Sequence, residues 1–73
     1  PALSVAPMRL SVNGEEREIE AGATIEKLLE DLGLRARRVA VEVNREVVLR
    51  DAWPRTELHE RDHIEIVQFV GGG

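Results

Sequence analysis

The residues best placed to do chemistry are the last three, Gly71-Gly72-Gly73, which follow an apolar stretch with no linker between them. They carry no side chains, so nothing widens the segment. Fully extended, they reach roughly 10 Å past Val70, at about 3.3–3.6 Å per residue. Glycine accepts almost any φ/ψ, so such a segment can thread a narrow channel in another protein. Its one distinctive group is the carboxylate of Gly73. The pattern suits a protein that delivers its own C-terminus into a partner's active site. Chain ends are commonly loose and inert; what sets this one apart is its position directly behind a strand.

Other constellations point to less. His59 and His63 are four residues apart, but the segment reads as a turn leading into a strand, with no third ligand near, so no metal site is expected. Arg35, Arg37 and Arg38 form a small basic cluster that reads as a solvated loop. Asp51, Glu57, Glu60 and Asp62 read as a solvated acidic face, with binding of a basic partner as the alternative. No Ser–His–Asp motif, phosphate loop or nucleotide fingerprint is present.

Composition narrows the class. The chain has 73 residues, 42% hydrophobic and 33% charged, with a net charge of −4 and no cysteine. One small domain with a thin two-layer core is expected, and a carrier or binding role rather than an enzyme with a deep pocket. The acidic balance argues against nucleic acid. Without cysteine there is no thiol nucleophile, redox dithiol or disulfide staple. No run is long enough to span a membrane as a helix, and the opening residues lack a signal-peptide pattern, so a cytoplasmic location is expected.

The elements that must position the terminal glycines can be read in order. Residues 1–7 look like a flexible N-terminal arm, residues 8–70 a domain and residues 71–73 a flexible tail. Met8 to Val12 alternates as a half-buried strand. Asn13-Gly14 suits a tight hairpin, and Glu16 to Glu20 is the return strand with Ile19 inward. Thr24 is a helix N-cap. Ile25, Leu28, Leu29 and Leu32 form one helical stripe, and Gly33 stops it, giving a helix of about Thr24 to Leu32. Val39, Val41 and Val43 mark a third strand, Asn44-Arg45-Glu46 a turn, and Val47-Val48-Leu49 a fourth strand. Asp51 to Arg61 reads as a connection with Trp53 as a plug against the sheet. Ile64 to Val70 is the last strand, apolar on both faces as a central strand tends to be.

The expected fold is therefore α+β: a mixed sheet of four to five strands with one main helix packed on one face. The element order matches a ubiquitin-like β-grasp, in which first and last strands lie side by side in the middle. Alternation puts Val67 and Phe69 on the face opposite Ile64 and Ile66. Val67, Phe69 and Val70 are the candidate partner-docking residues, Phe69 being the sole phenylalanine, with completion of the core as its alternative role.

The sequence resembles the ThiS family, the sulfur carriers of thiamine thiazole synthesis, from Met8 to Gly73. Ala21-Gly22-Ala23-Thr24 resembles the family's entry to its helix. Val43-Asn44 followed by Val47, Arg50 and Trp53 resembles its strand–turn–strand and Arg-x-x-Trp region. Asp62, Ile64, Ile66 and Gly72-Gly73 resemble its last strand and diglycine end. Gly71 is an additional glycine, and Arg61-Asp62 stands where the family often has Gly-Asp.

The resemblance implies that a ThiF-like adenylyltransferase, using ATP and Mg²⁺, converts the Gly73 carboxylate to an acyl adenylate. A persulfide from a cysteine desulfurase or another donor then yields a thiocarboxylate, and a ThiG-like thiazole synthase takes the sulfur. Gly71 and Gly72 would thread the tail into the partner. The protein would bind no cofactor, and Gly73 would be a co-substrate rather than a catalyst. The rivals are a related carrier or modifier (for molybdopterin, tRNA thiolation, cysteine synthesis or lysine conjugation) and a plain interaction domain.

Overall fold

Two short hairpins, one helix and one long return strand build the molecule. The computed structural model describes residues 6–34 and 38–69. Strand β1 spans Met8–Val12, β2 Glu15–Ile19, α1 Ile25–Asp31, β3 Val39–Val43, β4 Glu46–Val48 and β5 His63–Gln68. The five strands form one sheet in the order β2-β1-β5-β3-β4. β1 and β5 run parallel, with Ser11 opposite His63, and every other pair is antiparallel. The last strand thus lies at the centre beside the first. This is the β-grasp arrangement expected from the element order.

The turns set the register. Asn13 and Gly14 take φ of 53° and 83°, and Asn44 and Arg45 take 53° and 73°. Each pair is a two-residue loop of the mirror-image kind that suits the sheet's twist. Because Arg45 completes the second loop, β4 begins at Glu46 and ends at Val48. The expected strand over Val47-Val48-Leu49 is therefore displaced by one residue. Leu49 instead precedes a 3-10 helix at Arg50–Arg55, which the sequence reading took for part of a connection.

Helix α1 starts where Thr24 accepts the Lys27 amide at 3.2 Å and ends at Leu32, with Gly33 left-handed at φ 72°. It covers one face of the sheet. Ile25, Leu28 and Leu29 from the helix meet Met8, Leu10, Val12, Ile19, Val39, Val41, Ile64 and Ile66 from the strands. The segment after the 3-10 helix ties the layers together: Ile25 N–H donates to Thr56 O and Leu58 N–H to Ala23 O. Leu58 and Trp53 are buried. The Trp53 indole N–H donates to Val48 O at 2.8 Å. Trp53 is thus the plug expected, with its one polar atom satisfied.

The tight corner before β5 revises another expectation. Asp62 was read as part of a solvated acidic face. Its side chain is 12% exposed; it accepts from Asn44 Nδ2 at 3.0 Å and from the His59 amide at 2.8 Å. It organises the turn. Arg61 takes φ 69° there, a conformation that glycine adopts without steric cost. The Gly-Asp of the resembled pattern would meet this conformation without strain. Glu60 stays exposed, as the acidic-face reading expects, and its carboxylate also accepts from the Arg9 amide at 3.0 Å.

Candidate functional site

The site is the uncovered face of the sheet, together with the end of β5 that leads to the terminal glycines. Val70, Gly71, Gly72 and Gly73 lie outside the described residues, as do Arg35 and Arg37 of the basic cluster. What is described is the platform from which the tail departs.

Alternation along β5 sends Ile64 and Ile66 into the core and Glu65 and Val67 to the other face. Val67 is 55% exposed and Phe69 57%. Phe69 therefore does not complete the core, which was the alternative role open to it. Its amide donates to Arg38 O at 2.7 Å, so the chain stays paired with the β3 side one residue past the strand.

The register assembles an apolar row across this face. Ala40 of β3 is paired with Val67. On the other side of β3, Val41 is paired with Val48 and Glu42 with Val47. Extending that register by one residue sets Leu49 beside Ala40. Val47 and Leu49 are 65% and 73% exposed. The described residues' four exposed large apolar side chains thus lie on the β4–β3–β5 half of one face. Sequence reasoning identified Val67 and Phe69 from β5 but missed Val47 and Leu49, which it had assigned only as strand residues. The available signal was their parity: in a two-residue-turn hairpin, residues of β4 opposite outward residues of β3 must point outward too.

Asn13 holds β5 where β1 runs out. Its backbone N–H donates to Ile64 O at 2.8 Å. Its side-chain amide donates to Ile66 O at 3.1 Å and its side-chain oxygen accepts from Ile66 N–H at 2.7 Å. The carboxamide thus imitates a peptide group of a neighbouring strand and fixes the course of β5 just ahead of the tail. The sequence showed Asn13 only as a turn residue.

The remaining candidates do not converge. His59 and His63 sit at opposite ends of the corner. His63 Nδ1 lies 2.9 Å from Ser11 Oγ, while His59 Nδ1 is 3.9 Å from Asp62 Oδ2. Among the described residues no group of three or more His, Asp or Glu side chains could hold a metal, and no helix is long and apolar enough to cross a membrane.

Comparison with known proteins adds what the geometry leaves open. The model of a family described as the ThiS family matches residues 10–73. A thiazole synthase of Paramagnetospirillum magneticum is 46% identical over 66 residues, which cover 90% of this chain and 20% of that protein. The chain therefore spans about a fifth of that relative. The sulfur carrier protein ThiS of Bacillus subtilis is 40% identical over 65 residues, covering 88% of this chain and 98% of the relative. A crystal structure of the thiamine biosynthesis protein ThiS from Geobacter metallireducens superposes with a TM-score of 0.78 at 35% identity, covering 90% of this chain and all of that one.

Proposed function

The chain belongs to the ThiS family, and on that premise we propose that Gly73 carries sulfur as a C-terminal thiocarboxylate. The protein is a sulfur carrier of thiamine biosynthesis, and it acts as a co-substrate of its partners rather than as an enzyme. What supports this reading is that the family match runs through the final glycines, directly behind a strand anchored on both sides.

A carboxylate resists attack because its leaving group would be oxide. The Gly73 carboxylate therefore attacks the α-phosphate of ATP on a ThiF-like adenylyltransferase and releases pyrophosphate, giving an acyl adenylate. The terminal sulfur of a persulfide, supplied by a cysteine desulfurase or another donor, attacks the acyl carbon and displaces AMP. A thiol of the donor system then reduces the resulting acyl disulfide, leaving the thiocarboxylate on Gly73 and a disulfide on the donor. ATP and Mg²⁺ belong to the adenylyltransferase. Gly71 and Gly72 thread the tail, and Val67, Phe69 and Val70 dock the carrier body.

The recipient is a thiazole synthase. This assignment draws on relatives that bear that name and carry a counterpart of this chain within about a fifth of their length. A cytoplasmic location fits these proposed partners and their use of ATP.

The test is intact mass after incubation with ATP, Mg²⁺, the cognate adenylyltransferase and a sulfur donor. Exchange of one oxygen for sulfur, localised to Gly73, is expected. Deleting Gly72 and Gly73 abolishes it while the melting temperature stays put, because glycine has no side chain to bury. No exchange in the wild type, with the enzyme active on another carrier, moves the protein to the modifiers or the plain interaction domains.

A further inference from the structure

The uncovered face carries a second feature beside its apolar row. Glu42 of β3 and Glu65 of β5 are registered partners on adjacent strands, and alternation points both carboxylates outward. Like charges directly opposite each other destabilise a sheet. Among the described residues neither carboxylate has an ion pair. The pairs present are Arg9–Glu18, Lys27 with Glu20 and Asp31, and His59–Asp62. His63, two residues before Glu65 on the same face, has its Nδ1 against Ser11 Oγ. Val47 flanks Glu42 across β4, and Val67 follows Glu65 by one outward position. The acid pair therefore abuts the apolar row at the centre of the face.

We propose that Glu42 and Glu65 together receive an arginine or lysine side chain of the adenylating enzyme, beside the apolar contact made by Val67, Phe69 and Leu49. The inference rests on the carrier reading above and adds the chemistry of the partner's surface. An enzyme that brings a carboxylate to the α-phosphate of ATP must hold two anions together, so its entrance needs a positive field. A carrier with net charge −4 is attracted to such a field. Glu65 lies on the strand that leads to Gly73, so engagement of this face and entry of the tail occur together. The planar guanidinium, with donors on several edges, suits two facing carboxylates better than an ammonium does. Asn44, Arg45 and His63 line the same hollow as Glu42 and Glu65, and a partner's cation seated between the two facing carboxylates would offset the unfavourable like-charge pairing.

The experiment is the double substitution Glu42→Gln/Glu65→Gln, assayed by pyrophosphate release from the purified cognate adenylyltransferase. The KM for the carrier rises about tenfold, kcat stays within about twofold, and the salt dependence of KM flattens, as for loss of interfacial charge. The variant melts no lower than the wild type, because a repulsion has been removed. A charge-matched control, Glu26→Gln/Glu30→Gln on the helix layer, leaves KM unchanged. An unchanged KM in the Glu42/Glu65 variant overturns the proposal, as does an equal rise in the control, which would mean that net charge alone is read. Failure of the wild type to release pyrophosphate would instead overturn the carrier reading, and this inference with it.

Discussion

The two faces of one sheet obey different rules. Toward the helix, Leu10, Val41 and Ile64 are almost wholly enclosed, and every strand contributes to one continuous core. Away from it, the same strands expose Val47, Leu49, Val67 and Phe69 and set Glu42 against Glu65. The first face is arranged for a protein alone in water. The second gives up stability in isolation, as a surface does when its complement lies on another molecule. The contrast teaches that in a domain this small, one side-chain parity builds the core and the other is left for the proposed docking face.

Substitutions on opposite faces of β5 put this contrast at risk. Ile64→Ala should cost about 3 kcal/mol, lowering the melting temperature by roughly 15 °C for a domain of this size. The fraction that remains folded should still be adenylated with an unaltered KM. Phe69→Ala should do the opposite. Stability should change by less than about 0.5 kcal/mol, while affinity for the adenylyltransferase, measured calorimetrically, falls about tenfold. If Phe69→Ala instead melts like Ile64→Ala, the two faces are not segregated.

The smallest effect sharpens the contrast in charge. On the outer surface of the helix layer, Lys27 is 3.3 Å from Asp31 and 3.9 Å from Glu20. The hydrogen bond to Asp31, then the charges of Asp31 and Glu20, raise its pKa above the usual 10.5. A raised pKa means that the folded state favours the protonated lysine. The contribution is therefore present below 10.5 and lost as pH climbs through the folded value. Melting temperatures of the wild type and Lys27→Met should differ slightly at neutral pH and converge in strong alkali. Charges there are paired locally, whereas those of Glu42 and Glu65 are not.

Much of the architecture was legible because alternation and helical stripe are strong signals. Leu10 and Val12, Val39 and Val41, and Ile25 and Leu28 each point where their period puts them. The same rule put Val67 and Phe69 on the face opposite Ile64 and Ile66, but alternation alone does not say which face meets the helix; their exposure does. The one-residue shift of β4 was not legible, because Arg45 takes a left-handed conformation that an arginine does not advertise. The 3-10 helix was hidden because Trp53-Pro54 reads as irregular, and the proline is accommodated inside it. The roles of Asn13 and Asp62 were also out of reach. Their side chains bond to partners 53 and 18 residues away in sequence, and no local pattern records such a meeting.

The parallel pairing of β1 with β5 gives the molecule two distinct poles. Arg9 lies level with Arg61, while β5 runs on past the Asn13 turn. The start of β1 and the end of β5 are therefore roughly 25 Å apart along the sheet, at about 3.3 Å per residue. A fluorophore, a surface tether or a whole protein joined ahead of Met8 would sit at the pole remote from the end of β5. The domain can thus be held by one end while the other stays clear, which makes it suited to immobilised assays.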